Sequence, residues 1–179
     1  MNWYKTSSDS SRVLVIMRSP SGAGKSTLAQ ELGEGGVVFS TDDFFEQGGE
    51  YKFNPAQLGT AHRWNHSRVK QALDRSISPV VVDNTNVTLK EILPYLELAK
   101  NHGYEVRYAS PNWNEQLITE NGKWNYDFLV KQQQNKDRTG KGKIVPDNAI
   151  KRQIDRFEYQ LPEETDDEFS RRIFERFNK

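Results

Sequence analysis

The sequence contains no cysteine and no excess of charge of either sign, and each absence excludes some classes of protein. Disulfide bonds, thiolate catalysis and cysteine-zinc sites are excluded. Lys and Arg together number 25, as do Asp and Glu, so any anion-binding site must be local. Three histidines argue against a histidine-rich metal site, and no apolar run approaches the roughly 18 residues of a membrane helix.

The 179 residues fit one domain. Residues 1–12 are polar, and we interpret them as an N-terminal tail rather than a signal peptide, which leaves a single domain over residues 13–179. The lack of cysteine is consistent with an intracellular enzyme, in the cytoplasm or the nucleus, and we expect no membrane partner.

Short β-branched runs alternate with helical patterns in the first two thirds of the chain. We predict strands over residues 13–17, 37–40, 79–82 and 104–109, and helices over 25–32, from 54 to 75 and over 89–102. Residues 110–160 are polar and predicted to be helical, with an interrupting loop over residues 139–143, and Thr165 begins a capping box that opens a last helix. This alternation predicts an α/β fold with a parallel sheet, helices on both of its faces and helices at the C-terminus.

The most specific motif lies between the first strand and the first helix. Its pattern is that of a phosphate-binding loop (P-loop), with Ser19 where the first glycine is usual. We expect Lys25 to reach the β- and γ-phosphates of ATP or another nucleoside triphosphate and the Ser26 hydroxyl to bind Mg²⁺. The predicted nucleotide-binding residues are Ser21, Gly22, Ala23, Gly24, Lys25, Ser26 and Thr27.

Carboxylates follow the second and third predicted strands, at the edge where ligands bind in open α/β sheets. Asp42 is our candidate for the base that accepts a hydroxyl proton during phosphoryl transfer. Asp83 follows three valines and is typical of an acid that assists the metal ion. Asp43, beside Asp42, is a candidate substrate contact. Turn or helix capping is the alternative for all three acids.

Residues 131–156 contain eight basic residues and three acids. We predict a mobile lid over residues 131–146, in which Arg138 contacts the nucleotide phosphates and stabilises transition-state charge. A solvated helix face is the alternative. In the helix that follows Asn54, Asn65 and Arg68 lie one turn apart and are candidates for lining an acceptor site.

Four segments resemble the P-loop polynucleotide 5′-hydroxyl kinases. They are residues 19–27, 40–45, 82–86 and 135–138, and the likeness covers roughly residues 13–157. It is strongest to the kinase-like domains of proteins that bind Nedd-type ubiquitin ligases. The resemblance implies a P-loop NTPase fold with Asp42 as general base, Asp83 in the acceptor site and Arg138 on the donor phosphates. It also assigns Asn84, Thr85 and Asn86 to the substrate-binding segment.

The sequence departs from the pattern of the phage polynucleotide kinase at three positions. Ser19 stands for a glycine, Phe45 for an arginine that contacts the acceptor phosphate, and Gln134 for a second lid arginine. Three functions therefore stay open. The first is an ATP- and Mg²⁺-dependent kinase acting on 5′-hydroxyl ends of RNA or DNA. The others are a kinase of a nucleoside, nucleotide or sugar, and a non-catalytic nucleotide- or RNA-binding module.

Overall fold

A computed structural model describes residues 11–139 and 144–178, with the backbone alone given for residue 47 and residues 136–139. A four-stranded parallel sheet lies at its centre, with strand order β2-β5-β1-β6. The strands are β1 (Val13–Met17), β2 (Val37–Phe39), β3 (Glu46–Gln47), β4 (Glu50–Tyr51), β5 (Val80–Val82) and β6 (Glu105–Ala109). The four strands expected from the sequence are confirmed within one residue at each end.

Apolar side chains on both faces explain why β1 and β5 occupy the middle of the sheet. Leu14 and Ile16 pack into one core cluster, whereas Val13, Val15 and Met17 pack into another on the opposite face. Such continuous apolar runs are typical of parallel strands that are covered on both sides. Full burial of one such side chain contributes about 1.5–3 kcal/mol.

The described residues contain six α-helices. They are α1 (Lys25–Leu32), α2 (Leu58–Asp74), α3 (Leu89–His102), α4 (Tyr126–Thr139), α5 (Asp147–Arg156) and α6 (Asp166–Phe177). Helix α1 covers one face of the sheet, and α2, α3 and α6 cover the other. The parallel sheet with helices on both faces is therefore confirmed. Part of the predicted lid, residues 140–143, lies outside the described residues.

Local signals at the helix ends function as expected from the sequence. The Asn54 side chain accepts a hydrogen bond from the Ala56 amide, the Thr165 side chain accepts one from the Glu168 amide, and Gly103 ends α3 with φ 69°. No helix of the described residues is both long and apolar enough to cross a membrane.

Two predictions about the connecting segments need correction. Residues 110–125 contain no α-helix. Their helical structure is limited to one 3-10 turn at Glu115–Leu117, which the Asn114 side chain caps. Asparagine side chains compete there for backbone amides and favour turns over helix. The sequence analysis also missed the hairpin formed by β3 and β4, whose turn residues Gly48 and Gly49 have φ values of 70° and 82°. Positive φ at both positions is what a tight two-residue hairpin turn requires.

Candidate nucleotide and acceptor site

The P-loop connects β1 to α1 and carries its two glycines in the left-handed region. Gly22 has φ 90° and Gly24 has φ 83°. Gly24 is also the N-cap of α1, and no side chain of the described residues caps this helix end. The first turn of α1 contains no acidic residue, so its amides and its positive dipole end are available to an anion.

Three side chains from distant parts of the chain hold the P-loop in this shape. The Trp113 indole Nε1 donates a hydrogen bond of 2.8 Å to the Ala23 carbonyl. Gln153 of α5 accepts one from the Ser21 amide (2.8 Å) and donates one to its hydroxyl (3.2 Å). The Gln133 side chain of α4 lies beside Gly22, where an added Cβ would be 3.3 Å from it. No sequence pattern predicts these contacts, because they join residues about 90 to 130 positions apart.

Ser19, at the position where the motif usually has glycine, is compatible with the loop. Its φ is not among the positive values, so the backbone here does not require glycine. The Ser19 amide donates to the Thr85 carbonyl at 3.2 Å. The side chain is fully buried, and its hydroxyl has no hydrogen-bond partner within the part of the chain that the structure describes.

The charged pair at the centre of the site joins α1 to β5. The Lys25 ammonium lies 3.3 Å from a carboxylate oxygen of Asp83, and both side chains are largely buried. The Asp83 amide donates to the Phe39 carbonyl at 2.8 Å, so this acid stays in register with β2. Ser26 and Thr27 are exposed on the first turn of α1, where they can reach a ligand.

Asp42 and Asp43 lie on a 3-10 turn, Thr41–Phe45, directly after β2. The Ser40 side chain accepts from the Asp42 amide, and Asp43 accepts from the Ser40 amide, which completes a capping box. Arg68 of α2 donates to the Asp43 carboxylate at 3.0 Å. Asp43 and Arg68, both candidate substrate contacts, therefore form an ion pair with each other.

A largely buried polar network holds the Thr41–Phe45 turn in place. The Tyr95 hydroxyl accepts from the amide groups of Asn65 (2.9 Å) and Asn84 (3.2 Å). Asn84 also accepts from the Thr41 amide at 2.9 Å, which ties the turn to the end of β5. Burial raises the pKa of Tyr95, so the hydroxyl stays protonated.

Two predicted substrate contacts are interior residues. Asn65 is completely buried, and Asn86 is 2% exposed and donates to the Met17 carbonyl at 2.7 Å. Their burial departs from our expectation of direct acceptor contact, because side chains held inside can only position others. Asn84 and Thr85, which precede Asn86 in the segment after β5, are partly buried.

Arg18 is an internal residue that the sequence analysis missed. Its guanidinium donates to the carbonyls of Asn86 (3.0 Å), Val87 (3.1 Å) and Glu158 (2.6 Å), and it lies over the Phe157 ring. Burial lowers its pKa to about 10. Arg18 thereby connects the start of the P-loop to the segment that follows α5.

The backbone of Arg138 lies in the last turn of α4, but its side chain is outside the described part of the structure. Its predicted role on the donor phosphates therefore stays a prediction. Within the described residues, no group of three or more His, Cys, Asp or Glu side chains is arranged to hold a metal ion. The residues present fit a Mg²⁺ ion bound mainly by nucleotide phosphates, with Ser26 as the protein ligand.

A parallel sheet with a P-loop between its central strand and α1, a paired lysine and aspartate, and a second acidic turn define a P-loop domain of the kinase-like class. The profile of a family described as an AAA domain matches residues 14–160, and the chain belongs to this family.

One curated relative and two solved structures show what the chain is similar to. NEDD4-binding protein 2 of Homo sapiens is 45% identical over 103 residues, which is 56% of this chain and 6% of that protein. The chain thus spans a small part of that relative. A structure of the Pnkp1/Rnl/Hen1 RNA repair complex aligns over 85% of this chain and 46% of the other, with TM-score 0.62 and 20% identity. A gluconokinase from Sinorhizobium meliloti 1021 aligns over 86% and 78%, with TM-score 0.52 and 16% identity. At 20% and 16% identity, the likeness to these two structures shows the fold alone.

Proposed function

We propose that this domain is an ATP- and Mg²⁺-dependent phosphotransferase that phosphorylates the 5′-hydroxyl ends of RNA or DNA. The observation that carries the proposal is the order of three neighbouring strands. The P-loop follows β1, Asp83 follows β5 and Asp42 follows β2, and these strands are adjacent in the sheet. Phosphate-binding groups and a candidate base therefore meet at one edge, as in-line transfer requires.

In the proposed reaction the acceptor oxygen attacks the γ-phosphorus, a new P–O bond forms, and the bond to the ADP oxygen breaks. Asp42 takes the hydroxyl proton, and Lys25 neutralises charge on the transferred group. Asp83 holds the Lys25 ammonium in place. Mg²⁺, bound by the phosphates and Ser26, would withdraw charge from the leaving oxygens. Arg138 is assigned to the donor phosphates from the lid.

The acceptor class is the open part of the proposal. The likeness to an RNA repair complex supports a nucleic-acid end, whereas the likeness to a gluconokinase supports a small hydroxyl compound as the second candidate. A nucleotide- or RNA-binding module without transfer is the third. The partners that we propose are a nucleotide and a nucleic-acid 5′ end.

The test is transfer of label from radiolabelled ATP, with Mg²⁺, to 5′-hydroxyl RNA and DNA oligonucleotides. We expect Lys25→Ala and Asp42→Asn to lower transfer by about 100-fold or more. Glu120→Gln, a change of an exposed carboxylate, is the matched control and should leave transfer unchanged. ATP binding without label on any oligonucleotide would refute the polynucleotide proposal. Gluconate and nucleosides, assayed in parallel, would then reveal a small-molecule kinase.

A further inference from the structure

Three aromatic side chains form a cluster next to Asp42 that none of the preceding roles explains. We call this cluster, made of Phe45, Tyr51 and Phe53, the aromatic platform. Phe45 is 3% exposed, whereas Tyr51 is 40% and Phe53 is 50% exposed. Phe45 meets the two exposed rings edge-on, with ring centroids 6.3 Å and 5.2 Å away. It is a buried support beneath two rings that face the solvent.

The two exposed rings are nearly parallel, with an angle of 12° between their planes and 6.5 Å between their centroids. Residues i and i+2 of an extended segment project to the same side about 6.6 Å apart, which explains this arrangement. The distance lies at the long end of the range for packed aromatic pairs. Both rings are also exposed to solvent, by 40% for Tyr51 and 50% for Phe53, so a planar group can contact them from outside.

The platform lies beside the candidate base, Asp42. The Tyr51 hydroxyl donates to an Asp42 carboxylate oxygen at 3.4 Å, and the Lys52 amide donates to the Phe45 carbonyl at 2.8 Å. Partial burial, together with the Asp42 carboxylate, raises the pKa of Tyr51 to about 12, so the hydroxyl remains a donor. A group on these rings would lie beside the atom that is proposed to take the acceptor proton.

The charge around the platform argues against a phosphate as the group that it recognises. Residues 41–53 contain four acids, Asp42, Asp43, Glu46 and Glu50, but a single lysine. The Lys52 ammonium lies 3.4 Å from Glu50. Aromatic faces in an acidic surrounding favour a planar ring without negative charge.

We propose that the platform binds the 5′-terminal nucleobase of the acceptor by stacking. This inference rests on the proposed function, because it places the base on Tyr51 and Phe53 while the 5′-hydroxyl of the same nucleotide reaches Asp42. One sugar joins the two groups, so a single nucleoside can make both contacts. The acceptor end is thus recognised through its terminal nucleobase more than through its phosphates.

The first test compares two single-stranded 5′-hydroxyl oligonucleotides that differ only in whether the terminal nucleotide has a base. Loss of stacking on one base corresponds to a fall of about tenfold or more in kcat/KM. We expect that fall for the wild-type chain on the abasic substrate. Phe53→Ala should cause a similar fall on the normal substrate and no further fall on the abasic one. Phe53→Trp should retain the preference.

Leu161→Ala is the matched control, because Leu161 is 58% exposed and lies between α5 and α6. It should leave the base preference unchanged. Label transfer that is equal on both substrates and insensitive to Phe53→Ala would overturn the platform and leave the proposed function intact.

A direct binding measurement covers the case in which no oligonucleotide is labelled. An oligonucleotide with 2-aminopurine at its 5′ end should lose fluorescence on stacking with the wild-type chain but not with Phe53→Ala. Quenching without label transfer would support the platform and refute the kinase proposal. Neither quenching nor transfer would refute both. Quenching by the wild-type chain that persists in Phe53→Ala would also refute the platform.

Discussion

The proposed donor side and the proposed acceptor side of the site are held in place differently. The P-loop, on the donor side, is held by side chains from distant segments, such as Trp113 and Gln153. On the acceptor side, the 3-10 turn at Thr41–Phe45 is also tied to distant residues, Asn84 and Arg68, but the two exposed aromatic rings lie on the hairpin and the residues just after it. The comparison indicates that the donor geometry depends on the whole fold, whereas the exposed rings that we propose to recognise the acceptor can change without disturbing it.

Substituting one glycine on each side should give the largest difference in stability between the two sides. Gly22→Ala places a Cβ 3.0 Å from the Leu129 carbonyl oxygen in a residue with φ 90°, whereas a Cβ added at Gly49, with φ 82°, meets no described residue within 4 Å other than its chain neighbours. We expect Gly22→Ala to lower the free energy of unfolding by about 2–3 kcal/mol and to abolish nucleotide binding. Gly49→Ala should cost about 1 kcal/mol.

Urea denaturation and binding of a fluorescent ATP analogue measure the two effects. Equal losses of stability in the two variants would contradict the idea that the donor loop is constrained by packing as well as by φ.

The fold was largely predictable, because its signals are local and repeated. Three of the four sheet strands, β1, β2 and β5, are short runs rich in valine and isoleucine, and the P-loop motif has a fixed spacing that predicts the position of Lys25. The platform and the P-loop contacts were not predictable in the same way. The contacts of Gln153 and Trp113 join segments far apart in sequence, and Tyr51 and Phe53 have no pattern until the hairpin orients them.

The same limit applies to Asn65. Its position on α2 suggested a surface contact, yet it faces inward onto Tyr95 and is fully buried. Helical spacing identifies residues that share a face, but it does not distinguish a polar residue that lines a cleft from one that joins an internal network.

The internal network should have the next largest effect, and it supports the acceptor side. Tyr95→Phe removes the oxygen that accepts hydrogen bonds from the fully buried Asn65 and the partly buried Asn84. We expect a loss of about 1–3 kcal/mol in the free energy of unfolding. Tyr104→Phe, which removes one bond to the Ile77 carbonyl, is the matched control and should cost about 1 kcal/mol. A Tyr95→Phe variant as stable as the wild-type chain would refute this role.

A smaller effect should follow from a single charge on the donor side. The Gln153 side-chain oxygen accepts from the Ser21 amide, one of the amides that we expect a phosphate to use. Gln153→Glu keeps an acceptor there but adds a negative charge, so we expect ATP affinity to fall about tenfold, or 1.4 kcal/mol. Gln71→Glu, an exposed change on α2, is the control. Unchanged affinity in a calorimetric titration would mean that the phosphates do not approach Ser21.

The smallest effect concerns charge on the acceptor side. Each protein–phosphate contact to a single strand adds about 0.7 to the slope of log affinity against log salt concentration. The acidic surrounding of the platform predicts a slope near zero for 5′-hydroxyl oligonucleotides. Glu50→Lys, at a side chain that is 75% exposed, should raise affinity a few-fold at low salt and increase the slope by about 0.7. A steep slope in the wild-type chain would contradict base-directed recognition, since it would indicate several protein–phosphate contacts.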